Sequence, residues 1–131
     1  MNRKHKYNAK KTVIDGITFD SKAEAAYYNQ LKILKRAGEI KDFEMQVQFT
    51  LLESFKHPSK KTKAGKPSRV RAINFTPDFI ITELDGSKTV VDVKGMMSKD
   101  FPLRAKLFMK RYDMPLILAK RKGQGFEHIE M

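Results

Sequence analysis

The chain has 131 residues, with 27 Lys or Arg against 15 Asp or Glu, for a formal net charge of +12. That length suits one domain, the 40% apolar content with nine Phe can build a packed core, and the surplus positive charge favours a polyanionic partner, chiefly nucleic acid. No run approaches the ~20 apolar residues of a membrane-spanning helix, and no apolar stretch follows the basic residues 1–7 as a secretory signal requires. The absence of cysteine excludes disulfides, a disulfide-linked partner and thiolate zinc sites. The expectation is a cytoplasmic protein with no membrane partner.

Arg3, Lys4, Lys6, Lys10 and Lys11 predict a flexible basic N-terminal arm over residues 1–11. Residues 12–19 predict a small hairpin turned at Asp15-Gly16. Ser21 then predicts a helix N-cap, with Glu24 at the third helical position completing a capping box. Ala23, Ala26, Tyr27, Leu31 and Leu34 form the expected apolar stripe, and Gly38 stops the helix. Residues 45–52 alternate, with Val47, Phe49 and Leu51 on one face and Gln46, Gln48 and Thr50 on the other, which predicts a half-buried strand.

Residues 55–71 hold Lys56, Lys60, Lys61, Lys63, Lys66, Arg69 and Arg71 with no acid. Pro58, Gly65, Pro67 and the lack of apolar periodicity predict a long mobile loop, a feature that is often functional. Lys60, Lys61, Lys63, Lys66 and Arg69 can hold phosphates, contacts that position a duplex without reading its sequence; a merely solvated insertion is the competing reading. Residues 72–83 and 88–94 predict two adjacent strands around an Asp85-Gly86 turn. Asp100 predicts the cap of a second helix running to about Tyr112, with Pro102 tolerated in its first turn and Leu103, Leu107, Phe108 and Tyr112 facing inward. Residues 116–119 predict a short apolar strand and residues 126–129 a last edge strand. The element order predicts an α/β domain, a mixed sheet with helices against it.

Alternation along a strand puts Asp92 and Lys94 on one face and Val91 and Val93 on the other. If the two strands pair as a hairpin, Asp78 reaches the same end of the sheet. Two carboxylates and an ammonium then converge, a set suited to metal-assisted cutting of a phosphodiester. Bland alternatives stand beside each assignment: Glu24 as a capping acid only, Asp78 as a turn acid after Pro77, Asp92 and Lys94 as a surface cross-strand pair. Against the last, Asp92 lies between valines, where an unpaired charge is costly. Gln46 and Gln48 either touch phosphate or a metal-held water or face solvent. Lys99, Arg104, Lys106, Lys110 and Arg111 either line a DNA face of the second helix or only solubilise it. His5, His57 and His128 have no ligand spacing, so zinc is not expected.

The stretches Tyr7-Asn8-Ala9-Lys10-Lys11, Gly16-Ile17-Thr18-Phe19-Asp20-Ser21-Lys22-Ala23-Glu24, Thr76-Pro77-Asp78-Phe79 and Val91-Asp92-Val93-Lys94-Gly95, with Tyr27 and residues 31–40, resemble the PD-(D/E)XK nuclease superfamily. More closely, they resemble its small phage- and prophage-encoded DUF1064 proteins, and with the helix at 101–112 the likeness covers most of the chain. The resemblance implies one restriction-endonuclease-like domain over residues 1–131, a central mixed sheet flanked by helices. It implies a Mg²⁺-dependent endodeoxyribonuclease, with Mn²⁺ able to substitute, acting on duplex or branched DNA in a bacterial cell. Holliday junction resolution by a homodimer is among the activities open to it. The alternative is a catalytically inactive DNA-binding or recombination accessory protein on the same fold.

By the same resemblance the first helix contributes Glu24, the Pro-Asp acid is Asp78, and the acid-X-Lys pair is Asp92 and Lys94. The second acid departs from the commoner Glu, though the superfamily admits both. Mg²⁺ takes oxygen ligands and keeps several waters. Asp78, Asp92 and the Val93 carbonyl are the expected ligands, with Glu24 reaching the ion through water or helping to hold a second. Lys94 would orient the attacking water or stabilise the transition state, leaving a 5′-phosphate and a 3′-hydroxyl.

Overall fold

The computed structural model describes residues 11–131. The elements run β1 (Thr12–Ile14), β2 (Ile17–Phe19), α1 (Lys22–Arg36), β3 (Asp42–Met45), β4 (Phe49–Leu52), β5 (Phe55–Lys61), β6 (Pro67–Val70), β7 (Ile73–Phe75), β8 (Phe79–Thr82), β9 (Lys88–Lys94), α2 (Phe101–Tyr112), β10 (Leu116–Lys122) and β11 (Gly125–Glu130). β1 and β2 form the expected hairpin, and Asp15 and Gly16 both take positive φ, 54° and 76°, as the tight turn requires. The Ser21 hydroxyl accepts the Glu24 N–H at 3.1 Å and so starts α1. Gly38, at φ 76°, closes it: the Gly38 N–H donates to the Lys35 carbonyl and the Glu39 N–H to that of Leu34, the paired bonds of a Schellman stop.

The centre is a five-stranded sheet in the order β11-β10-β9-β8-β3. β9 and β10 run parallel across α2, and the other neighbours are antiparallel. α1 covers one face, packing Tyr27, Tyr28 and Leu31 with Phe79, Ile81, Val91 and Val93. α2 covers the other, packing Phe101, Ala105 and Phe108 with Ile80, Val90, Leu116 and Leu118. This mixed α/β sheet with a helix on each face has the layout of a restriction-endonuclease-like core. Among the described residues no helix is long and apolar enough to cross a membrane.

Six local expectations are corrected. Asp100 stands at the N-cap of α2 in helical backbone and makes no side-chain capping hydrogen bond, and the strand expected over residues 72–83 is β7 and β8, which join different sheets. The strand expected over residues 45–52 is two strands. Gln46 turns to φ 56°, so β3 pairs with β8 in the central sheet, while β4 pairs with β7 in a separate two-stranded sheet. The alternation runs through both pieces and carries no sign of the change of partner. The loop expected over residues 55–71 is mostly a β-hairpin, β5 against β6, closed by the Thr62 N–H on the Lys66 carbonyl at 2.7 Å. Its strands bury almost nothing, so they lack the apolar alternation that marks a strand.

In α2 the inward stripe is Phe101, Ala105 and Phe108, while Leu103 is 61% exposed and Leu107 38%. Both sets fit a helical period, and burying two phenylalanines removes more apolar area from water than burying two leucines. In α1, Ala25 and Tyr28 are buried alongside Tyr27 and Leu31, whereas Ala23, Ala26 and Leu34 are only half-buried. Tyr28 packs on Phe19 and Phe43 and donates its hydroxyl to Asp15, so the tyrosines of α1 are spent inside the fold.

Candidate active site

The β8–β9 pairing sets Phe79 opposite Val91, which brings Asp78, one residue before β8, against Asp92 inside β9. The two acids lock each other through the backbone. The Asp78 N–H donates to Asp92 Oδ1 at 3.2 Å, and the Val93 N–H donates to Asp78 Oδ2 at 2.8 Å. Asp92 is 5% exposed, the sole charged side chain among the described residues to be buried. Its Oδ2 lies 3.0 Å from Lys94 Nζ, and that ammonium also sits 5.0 Å from the centre of the Phe101 ring. A buried charge needs such a partner. Gln46 approaches from the end of β3: its backbone N–H donates to the Asp78 carbonyl at 3.3 Å and its side-chain amide reaches Asp78 Oδ1 at 3.5 Å. A non-glycine residue at positive φ is a small store of strain, of the kind that gathers at functional sites.

A cavity of about 310 Å³ opens over this group, walled by Glu24, Asp78, Asp92, Val93 and Lys94 with Thr76, Ser98 and Arg104. A second, of about 300 Å³, lies beside it and holds Asp20 and Gln46; Glu24 and Asp78 line both. Burial, then the repulsion of Asp92 and Glu24, pushes the Asp78 carboxyl up to about 8. Burial, then Asp20 and Asp92, pushes Glu24 up to about 6. Both cations that wall the cavity already face a carboxylate, Lys94 that of Asp92 and Arg104 that of Asp100.

The donor set suits a hard divalent cation. The four oxygens of Asp78 and Asp92 meet one protein donor each, which leaves each with a lone pair, and a divalent charge offsets the repulsion that raises Asp78. Among the described residues, however, no three His, Cys, Asp or Glu side chains draw together as a metal-holding group. The interlocked acids are the pair Asp78 and Asp92, and Glu24 lines the same cavity.

Glu24, Asp78, Asp92, Val93, Lys94 and Arg104 therefore share one cavity, and Gln46 lines its neighbour. Arg104 is held there by Asp100 at 3.1 Å and by the Asn74 carbonyl at 2.9 Å. Gln48, Lys99 and Lys106 are exposed and line neither cavity. Lys60 and Lys61 lie on β5, Lys63 and Lys66 in the turn, and Arg69 on β6. Lys11 is exposed; Lys10 and the rest of the arm lie outside the described residues. Sequence reasoning passed over Asp20, Thr76 and Ser98. Asp20 and Thr76 adjoin motifs that were already marked, whereas Ser98 comes into view only once α2 is folded back over β9.

A comparison with functionally curated proteins finds no match. Among solved structures, one described as the crystal structure of SSO0001 is 18% identical, with a TM-score of 0.40. The likeness covers 82% of this chain and 48% of that one, so this chain spans about half its length. The family described as "Protein of unknown function (DUF1064)" matches residues 4–121. With that match running from residue 4 into β10, the chain belongs to the DUF1064 family.

Proposed function

We propose that this protein is a metal-dependent endonuclease of the PD-(D/E)XK type, a single nuclease-like domain over residues 1–131 that hydrolyses phosphodiester bonds of duplex or branched DNA in a bacterial cytoplasm. The observation that carries the reading is the interlocked Asp78–Asp92 pair with Lys94 beside it in an open cavity, on a chain with a net charge of +12. Asp78, Asp92 and the Val93 carbonyl would hold Mg²⁺ or Mn²⁺, with Glu24 reaching it through water. When bound, such an ion supplies positive charge to the phosphoryl oxygens and makes water a better nucleophile at neutral pH.

The side chains do the rest. Lys94, fixed between Asp92 and the Phe101 ring, sets an ammonium where negative charge grows in the transition state. Arg104, braced by Asp100 and Asn74, offers its remaining N–H groups to a neighbouring phosphate. Glu24 and Gln46 orient water on the far side of Asp78. For a symmetric junction the reading adds a homodimer, since two matched phosphates need two sites. Light scattering at micromolar concentration, with and without junction DNA, tests that addition, and a monomer in both states would replace the resolvase with a single-site nickase.

The central experiment offers a four-way junction, a flap, a plain duplex and single-stranded DNA side by side with Mg²⁺. Wild type is expected to cut at least one, and Asp92→Ala none, while Asp92→Ala still binds. A second reading, a DNA-binding accessory protein without chemistry, draws on the acidic set being a pair, no three metal-holding side chains drawing together among the described residues. Wild type that binds these DNAs but cuts none with either ion would favour it.

A further inference from the structure

The β5–β6 hairpin stands outside the central sheet, and its two strands pair only with each other. From residue 54 to residue 77 the chain holds no acid. Among the described residues no carboxylate pairs with Lys56, Lys60, Lys61, Lys63 or Lys66. Lys56 sits directly opposite Arg69 in the ladder, a like-charge pairing that works against the hairpin. The fold therefore holds concentrated positive charge on one paired hairpin at a cost in stability. A polyanion lying along it removes that cost.

The root of the hairpin is fixed to the C-terminal end of α2, the helix whose N-terminal end walls the cleft with Phe101 and Arg104. The Tyr112 hydroxyl donates to the Thr50 carbonyl at 2.8 Å and accepts the Thr50 N–H at 3.2 Å. Arg111 reaches the Leu51 carbonyl at 3.4 Å and Glu53 at 3.1 Å. Both residues belong to α2, which packs on the face of β9 that carries Val90, and Asp92 shares that face by alternation. On the returning side, β6 passes into β7, and β7 ends three residues before Asp78. The arm and the carboxylates are thus held in one frame.

Dimensions choose the ligand. The paired partner β6 has four residues, and β5 bulges between Lys56 and Lys61, so at about 3.3 Å a residue the two-stranded part is roughly 13 Å long. A two-stranded ribbon enters the B-DNA major groove, about 12 Å wide; the major groove of an A-form RNA duplex is too narrow for it. We propose that the β5–β6 hairpin is a DNA-gripping arm that lies in the major groove of a B-form duplex next to the cleft, with Lys60, Lys61, Lys63 and Lys66 at its tip on phosphates of both strands. The assignment rests on the reading of the cleft as a DNA-cutting centre, and it makes the duplex flank of the cut site the part of the substrate that is held.

The test is Lys60→Gln/Lys61→Gln/Lys63→Gln/Lys66→Gln, four exposed positions whose change leaves thermal unfolding near that of wild type. Binding of a fluorescent 20-base-pair duplex is followed in EDTA at several salt concentrations. The variant is expected to lose roughly 3 to 4 from the slope of log K against log salt, about 0.9 for each phosphate contact removed, and at least about tenfold in affinity at low salt. Wild type should shield guanine N7 in the major groove from dimethyl sulfate, and the variant should not. Unchanged affinity and slope in the variant, equal binding of an RNA duplex, or unshielded N7 would each overturn the arm. The two readings fail separately. A wild type that binds through these lysines but never cuts DNA keeps the arm and loses the nuclease, and a variant that binds and cuts as wild type does keeps the nuclease and loses the arm.

Discussion

Asp78 makes the stability of the metal-free protein depend on pH in an unusual direction. Burial and the neighbouring acids raise its carboxyl from 3.8 to about 8. Between those values the folded protein holds a proton that the unfolded chain has released. Stability then falls as pH rises, because the slope follows protons bound unfolded minus protons bound folded. The contribution is fully present below about pH 4 and is lost as pH climbs through about 8. Glu24, raised from 4.5 to about 6, adds the same sign over the lower part of that window. The lowered acids Asp15, Asp42, Asp85 and Asp100 act oppositely, but they lose their contribution only as pH falls below their usual range, outside this window.

One proton corresponds to about 1.4 kcal/mol per pH unit at the steepest point. For a domain of this size each kcal/mol moves Tm by roughly 4 °C. Thermal unfolding in EDTA should therefore show Tm falling by about 4 to 6 °C per pH unit between pH 5 and pH 7, and Asp78→Asn should flatten that slope. Mg²⁺ at a hundredfold excess over its Kd should return about 2.7 kcal/mol at pH 8, and much less at pH 5, where a proton competes for the same carboxylate. A metal-free Tm that is level or rises from pH 5 to pH 8, with Asp78→Asn indistinguishable from wild type, would refute the reasoning.

Three further outcomes are expected. Phe108 is fully buried between Phe49, Phe75 and Tyr112; Phe108→Ala should cost about 3 to 5 kcal/mol, read as a lower urea midpoint at constant m. Gln46→Gly should relieve the strain of a positive φ of 56°, about 1 to 2 kcal/mol, less about 0.5 to 1 kcal/mol for the freer unfolded glycine chain, for a small net gain in Tm, yet slow Mg²⁺-dependent cutting, while Gln46→Ala slows cutting with no gain in Tm. Asp92→Ala should abolish cutting without weakening DNA affinity, since it removes a negative charge facing phosphate; a fall in affinity measured by anisotropy would put Asp92 in binding instead.

The sequence by itself determined the features that a few neighbouring residues decide. Asp15-Gly16 dictated its turn, Ser21 the start of α1 and Gly38 its stop, because each depends on one or two backbone angles or a single local hydrogen bond. Alternation alone put Asp92 and Lys94 on one face of β9, and the Asp85-Gly86 turn implied the pairing that carries Asp78 to them. Tertiary structure decided everything that rests on distant partners. The break at Gln46 is visible only because β3 and β4 join different sheets. The phase of α2 was settled by which side chains the β9–β10 face could bury, and Tyr112 finds Thr50 from 62 residues away. The burial of Asp92, and with it the raised pKa of Asp78, exists only once β8, β9 and α2 close around the pair. The basic segment became a hairpin although nothing in it is apolar enough to announce a strand, because ladder hydrogen bonds need backbone groups in register and ask nothing of side-chain hydrophobicity.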